Sequence, residues 1–338
     1  MTTRIQIFSN SGSRIGEIDA NVTRSWKLND YGVGSFSMSL QDAKAVVDYL
    51  QFGNFVYMTN DKLPDWGGMI DTPRTWGNKV ITSSIYQAEY ALKSENTAQR
   101  IIKFTGSPGD IFTELTRVSV GTTIPILPGD IFGSGVNQIK VYNFGQIYQA
   151  VKDLADESGH DWDLSPTIDA NGSLYFTANW YERKGVDRQY HLYEDLNIRL
   201  SDRVLIEQGT ISNYIIGFGN GSSWTSKPAT STMNQESASK YGERKIAISL
   251  SVDSYTQVRE GIINYLSENK EPRRTFDLVA LDVGDTYKNI RIGDTLPIDF
   301  YTVGFTGGEI GLNTRVRVLQ MAFDDIQNQL RLVVDEVV

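Results

Sequence analysis

Apolar residues recur at every second position along much of the chain, in short stretches separated by turns. Arg4-Ile5-Gln6-Ile7-Phe8 alternates and runs into Ser9-Asn10-Ser11-Gly12, a turn composition. Strand-like segments follow at 14–18 and 25–28. Gly34-Ser35-Phe36-Ser37-Met38-Ser39-Leu40 sets small or polar residues against apolar ones, the pattern of a half-buried strand. A short helical piece is predicted over 42–50. Further strands are expected at 52–58, 66–73 and 79–92, the last two joined by a turn at Trp76-Gly77-Asn78. Strand number and spacing over 1–92 predict a barrel-like β-domain.

From residue 93 the period changes. Ser107-Pro108-Gly109-Asp110 carries a serine cap, a first-turn proline and an acid, after which Ile111, Leu115 and Val118 recur at helical spacing. A second helix is predicted from Asn143 to Gly159, with Phe144, Ile147, Val151 and Leu154 on one face. Ile168 to Phe176 reads as two strands around Asn171-Gly172. Residues 93–205 are therefore expected to form an α+β insertion. Residues 206–338 return to β texture as a second barrel-like domain. It is expected to hold a long polar loop at 219–240, a crossing helix capped at Asp253 or Ser254, and strands at 275–281, 295–301, 314–323 and 328–335. The outer regions share a rhythm: Phe52-Gly53-Asn54-Phe55-Val56-Tyr57 and Ile292-Gly293-Asp294-Thr295-Leu296-Pro297 each lead into a strand, a turn and a strand. This is the pattern of a decayed duplication.

Composition narrows the function classes. A chain of 338 residues with 40% hydrophobic residues can bury a large core without staples. The absence of cysteine removes thiol nucleophiles, disulfides and thiolate metal sites, and two histidines leave little room for imidazole chemistry. No apolar run is long enough to span a bilayer, and Met1-Thr2-Thr3-Arg4-Ile5 enters a strand directly, so folding in a cytoplasm with no stable membrane insertion is expected. A net charge of −9 opposes retention of nucleic acid, since phosphate binding is driven by Lys and Arg. It suits a surface past which DNA slides.

Candidate chemistry is sparse. Asp156-Glu157-Ser158-Gly159-His160-Asp161-Trp162-Asp163 groups acids with a histidine, but Gly159 reads as a helix C-cap and no His-x3-His or His-Glu-x-x-His spacing occurs. Asp169-Ala170-Asn171-Gly172 lacks the remaining ligands of a calcium loop and reads as a hairpin turn. Gly217-Phe218-Gly219-Asn220-Gly221 lacks the third glycine and the helix of a dinucleotide fingerprint. No catalytic, cofactor-binding or metal-binding residue is assigned. Trp224, in the polar loop, is the one candidate for exposed aromatic contact with a glycan; the other aromatics are assigned to core and subunit interfaces.

Seven stretches of the chain together resemble a known family. Leu28-Asn29-Asp30-Tyr31-Gly32-Val33-Gly34-Ser35-Phe36-Ser37-Met38-Ser39-Leu40, then Tyr49 to Asn54, then Leu63-Pro64-Asp65-Trp66-Gly67-Gly68-Met69-Ile70 resemble the N-terminal region of phage tail-hub and tail-associated proteins. Tyr241-Gly242-Glu243-Arg244, the helix to Leu266, Arg291 to Leu296 and Arg315-Val316-Arg317-Val318-Leu319 resemble the second half of that family. The resemblance implies a mainly β fold: two barrel-like, tail-tube-type domains separated by a small α/β domain. It further implies a non-enzymatic structural hub of a phage or phage-like tail tip or baseplate, located in the virion and assembled in the bacterial cytoplasm. The expected partners are two further copies in a homotrimer, the tail tube or distal tail protein above, and a spike, tip or fibre protein below, with DNA passing through. Two other functions stay open, a glycan- or receptor-binding tail protein and a tail-associated cell-wall hydrolase.

Overall fold

Period-two segments form strands. The first β-unit comprises β1 (Arg4–Phe8), β2 (Arg14–Ile18), β3 (Asn21–Lys27), β4 (Val33–Ser39), helix α1 (Leu40–Val46), β5 (Phe55–Thr59), β6 (Trp66–Ile70), β7 (Thr75–Trp76) and β8 (Val80–Gln87). The computed structural model describes residues 3–337 apart from 72–74, 78–79, 94–101, 120–124, 136, 143–144, 201–205, 209–210, 222–225, 251 and 307–308. Strand β8 buries alternate residues, whereas all five residues of β6 are buried. The difference has a cause: on β6, Trp66 and Ile70 enter the main core while Met69 packs against the insertion. Trp76, expected in a turn, lies instead in β7 opposite Ile81, and the reversal begins at Gly77.

The insertion holds β9 (Ile102–Gly106), α2 (Pro108–Ser119), β10 (Ile126–Ile131), β11 (Gln138–Tyr142), α3 (Ile147–Ser158), β12 (Asp161–Ile168) and β13 (Leu174–Tyr181). Ser107 caps α2 by accepting the Asp110 N–H at 3.2 Å, and the Asp110 carboxylate accepts the Ser107 N–H at 3.0 Å in return. Helix α3 starts later than its sequence pattern predicts; Asn143 and Phe144 lie outside the described residues. It ends as expected, at Gly159 in the left-handed region with φ 71°. One buried cluster joins Phe55, Tyr57 and Met69 of the first unit to Phe112, Trp162 and Phe176 of the insertion.

After β14 (Leu192–Tyr193), β15 (Ile198–Leu200) and β16 (Ile206–Gln208) the chain departs from expectation. Residues 219–240 are not one polar loop: β17 (Tyr214–Phe218) pairs with β18 (Ala229–Met233), and α4 (Gln235–Tyr241) follows. Asn234 starts α4 by accepting the Ser237 N–H at 2.8 Å, a capping signal within a run of polar residues. Strand β19 (Lys245–Ser249) completes a separate three-stranded sheet with β17 and β18, and α5 (Tyr255–Asn269) packs on it through Val258 and Ile262. The stretch 206–338 is thus divided, because these strands pair among themselves and bury their own small core. Ser254 and Gln257 form a capping box on α5. Ser254→Ala is expected to lower stability by about 1 kcal/mol in denaturant titrations, the usual cost of losing such a cap.

The second β-unit is β20 (Arg273–Ala280), α6 (Thr286–Asn289), β21 (Thr295–Thr306), β22 (Glu309–Asp324) and β23 (Gln329–Glu336). Its strand order β21-β22-β23-β20 repeats the order β5-β6-β8-β4 of the first unit. Register repeats as well: Gly68↔Gln87, Met69↔Tyr86 and Ile70↔Ile85 match Val316↔Glu336, Arg317↔Asp335 and Val318↔Val334. So do the turns. Gly53 N–H donates to Ile70 O and Ile70 N–H to Asn54 O, both at 2.9 Å; Gly293 N–H donates to Val318 O and Val318 N–H to Asp294 O, also at 2.9 Å. The two glycines share φ values of 83° and 85°. The duplication read from the sequence is present in strand order, register and turn geometry.

Candidate assembly surface

The acidic cluster of α3 and β12 is used structurally. Asp161 accepts from Asn29 Nδ2 at 2.9 Å and from the Lys184 N–H at 2.7 Å, and it pairs with Arg317, so it ties the insertion to both β-units. Asp163 accepts from Asn179 Nδ2 at 2.7 Å and pairs with Lys184. His160 Nδ1 accepts from Trp180 Nε1 at 2.9 Å, and burial lowers the imidazole pKa. No group of three or more metal-ligating side chains is gathered among the described residues. Asp169 Oδ1 accepts the N–H groups of Asn171 and Ser173, which makes its segment the hairpin turn that the sequence suggests. Gly217 serves packing: a Cβ there would lie 2.3 Å from Ile262, so glycine lets α5 approach β17. Trp224 lies outside the described residues. Among those residues no helix is long and apolar enough to cross a membrane.

What the structure brings together is a junction between sheets. Strand β3 pairs with β4 on one edge and with the far half of β22 on the other, with Ser25 opposite Ala322 and Arg24 opposite Phe323. Leu28 N–H to Leu319 O at 2.9 Å and Asp325 N–H to Val22 O at 3.0 Å extend the ladder at its ends. Strand β22 pairs with β23 along one edge, with a register shift between Val318 and Gln320, while its other edge is shared by β21 over its first half and by β3 over its second. The two units thereby share a core that runs from Ile5, Phe36 and Trp66 to Phe276, Leu296 and Val334. At the seam the Arg24 guanidinium is buried, 5.6 Å from the Trp26 ring and 5.4 Å from the Phe323 ring, with Asp325 at 4.0 Å. Burial lowers its pKa to about 10, which leaves it charged at neutral pH.

Large apolar side chains stand exposed around the β-units, among them Phe52, Trp76, Ile310 and Ile326. Neither the β3–β22 seam nor the role of β7 is visible to local periodicity. The one sequence signal that leads to them is the repeat itself, because superposing Gly53-Asn54 on Gly293-Asp294 aligns the strands that follow.

No protein-family model matches the sequence, and no curated protein does. Solved structures match it over nearly its whole length. The 43 kDa tail protein of prophage MuSo2 from Shewanella oneidensis is 12% identical with a TM-score of 0.61, covering 99% of this chain and 98% of that one. A tail protein from Neisseria meningitidis is 10% identical with a TM-score of 0.62, covering 100% and 97%. An E. coli component of the type VI secretion system, described as structurally similar to the phage T4 tail proteins gp27 and gp5, is 10% identical with a TM-score of 0.52, covering 94% and 73%. The chain shares the mainly β fold of these proteins; in it two β-units flank an α/β insertion.

Proposed function

We propose that the protein is a structural hub of a phage or phage-like tail tip or baseplate, in which three copies form a ring at the distal end of the tail tube. The observation that carries this reading is the fused pair of repeated β-units. A chain with two equivalent units joined edge to edge gives six such units when three copies associate head to tail, a number that matches a sixfold tube to a threefold tip. End-to-end likeness to tail proteins at low identity supports the same architecture. Ring-forming contacts of this kind are heterologous: the surface that a chain presents differs from the one it receives, and the ring closes only if the rotation between copies does. Tail-tube and spike components then bind above and below, and DNA passes through an open centre. The acidic balance, 41 Asp and Glu against 32 Lys and Arg, favours passage over retention.

Class-averaged electron micrographs of the concentrated protein, with mass photometry, test the reading. The expected result is a particle of three chain masses with an open centre and six peripheral lobes. A monomer that persists at high concentration and under chemical cross-linking would overturn it. A lumen richer in Lys and Arg than in Asp and Glu would refute DNA passage while leaving the ring.

A further inference from the structure

The seam inside the chain defines which edges meet between chains. Because Ile85 and Val334 are equivalent in the repeat, Ile81 and Thr82 of β8 correspond to Leu330 and Arg331 of β23. Their partners correspond in turn. Thr75 and Trp76 of β7, opposite Thr82 and Ile81, occupy the place of Ala322 and Phe323, opposite Arg331 and Leu330. On the other side of the repeat, Gly34 faces Ile85 as Phe276 faces Val334, so Val33 corresponds to Thr275. Ile206 of β16 faces Thr275, and Ser25 of β3 lies beside Val33, its Oγ donating to Val33 O at 2.9 Å. Strand β16 therefore holds the place of β3, and β7 holds the place of the far half of β22.

Inside the chain those two places are paired with each other, antiparallel, with Ser25 opposite Ala322. In a single chain β7 and β16 sit on different units; among the described residues β7 pairs with β8, and β16 pairs with β20. We infer that β7 of one protomer pairs antiparallel with β16 of the next, Thr75 opposite Ile206, as a repeat of the β3–β22 seam. This rests on the hub reading and adds to it the edges and the register. Side-chain exposure agrees: Phe323, opposite Arg24 of β3, is 2% exposed, whereas its counterpart Trp76 is 61% exposed. Among the described residues β7 has β8 as its strand partner and carries the exposed Trp76, and a second copy of the same fold supplies a strand of matching twist and register for its other edge. The contact is head to tail, since β7 and β16 are different surfaces of one chain, and three such contacts close the ring.

The chain contains no cysteine, so paired cysteines report the contact without background. The double variant Thr75→Cys/Ile206→Cys, oxidised at high concentration, is expected to run on a non-reducing gel as a band of three chains that collapses to one on reduction. An equimolar mixture of the two single variants should give covalent dimers and nothing larger. Ser25→Cys/Ala322→Cys is the internal control; it should cross-link within one chain and leave the oligomer distribution of the parent unchanged. A near-ultraviolet circular dichroism spectrum like that of the parent shows that each variant is folded. Trimers in mass photometry that fail to cross-link through Thr75 and Ile206, with the internal control cross-linking, would overturn the inference and leave the hub standing. Absence of both trimers and cross-links would overturn the two together.

Discussion

Replacing Glu89 with glutamine is expected to remove the loss of stability that its buried carboxyl imposes as the pH rises from about 5 to about 8. Glu89 lies in a 3-10 turn, Ala88–Lys93, beneath the insertion and is fully buried. Its Oε1 accepts the Leu164 N–H at 3.1 Å, while Oε2 has no hydrogen-bond partner among the described residues. Burial raises its pKa from 4.5 to about 8, the negative charge of Asp163 adding to the rise and Lys184 opposing it. A carboxyl whose pKa is raised by folding binds a proton more tightly when folded. Stability is therefore greatest below the unfolded value, falls as pH climbs from 4.5 towards 8, and levels off above that. A tenfold difference in proton affinity between the folded and unfolded chain is worth ~1.4 kcal/mol, so the full effect is on the order of 5 kcal/mol. Glutamine keeps the acceptor for Leu164 and carries no charge. Denaturant titrations at the two pH extremes should place the variant near the parent at the acid end and several kcal/mol above it at the alkaline end. Parallel profiles would refute the assignment.

The repeated turn supplies the second large effect, as a contrast between equivalent residues. Gly53 and Gly293 share a left-handed backbone conformation, so alanine at either is strained by about 1–2 kcal/mol. Their surroundings differ. A Cβ on Gly53 meets nothing within 4 Å, whereas one on Gly293 would lie 2.4 Å from Lys184 O and 2.8 Å from its carbonyl carbon. Those are backbone atoms of the segment leaving the insertion, and Gly185 beside them is itself glycine for the reciprocal reason, its own Cβ falling 2.1 Å from the Gly293 carbonyl carbon. Asp294 fixes the contact from the other side, accepting from the Val186 N–H at 2.9 Å and from Arg188 Nε at 2.8 Å. Gly53→Ala should therefore cost about 1–2 kcal/mol. Gly293→Ala should cost about 2–5 kcal/mol once overpacking is added to the backbone strain. Equal melting temperatures for the two variants would contradict this.

These features differ in how much of them the sequence displays. Caps and turns are written locally, which is why Ser107, Gly159, Gly172 and Ser254 are legible from their neighbours alone. Gly53-Asn54 and Gly293-Asp294 stand out because a left-handed turn leading into a strand demands them in both units. Strand β18 and helix α4 are hidden because their residues are mostly polar and the strand is only half-buried, so neither carries a strong apolar period. The β3–β22 seam leaves no local mark at all, since its partners are far apart in sequence. In the sequence Glu89 looks like an ordinary surface acid. Its burial depends on the insertion folding back over the first unit, a tertiary event that no window of residues encodes.

The β3–β22 pairing also has a cost in time. Its two strands are separated by nearly the whole chain, so during synthesis β3 is finished long before Asp324 leaves the ribosome. At about 5–20 residues per second, the outer edge of β3 waits roughly 15–60 s for its partner. Exposed strand edges are where nascent chains stick to one another, and an inward-pointing charge is a known deterrent. Arg24 sits in the middle of that edge. A foreign strand has no Asp325 to offer it and would leave Asp65 alone to offset the buried guanidinium, so the residue that makes the finished seam electrostatically awkward protects the unfinished one until its own C-terminal strand arrives.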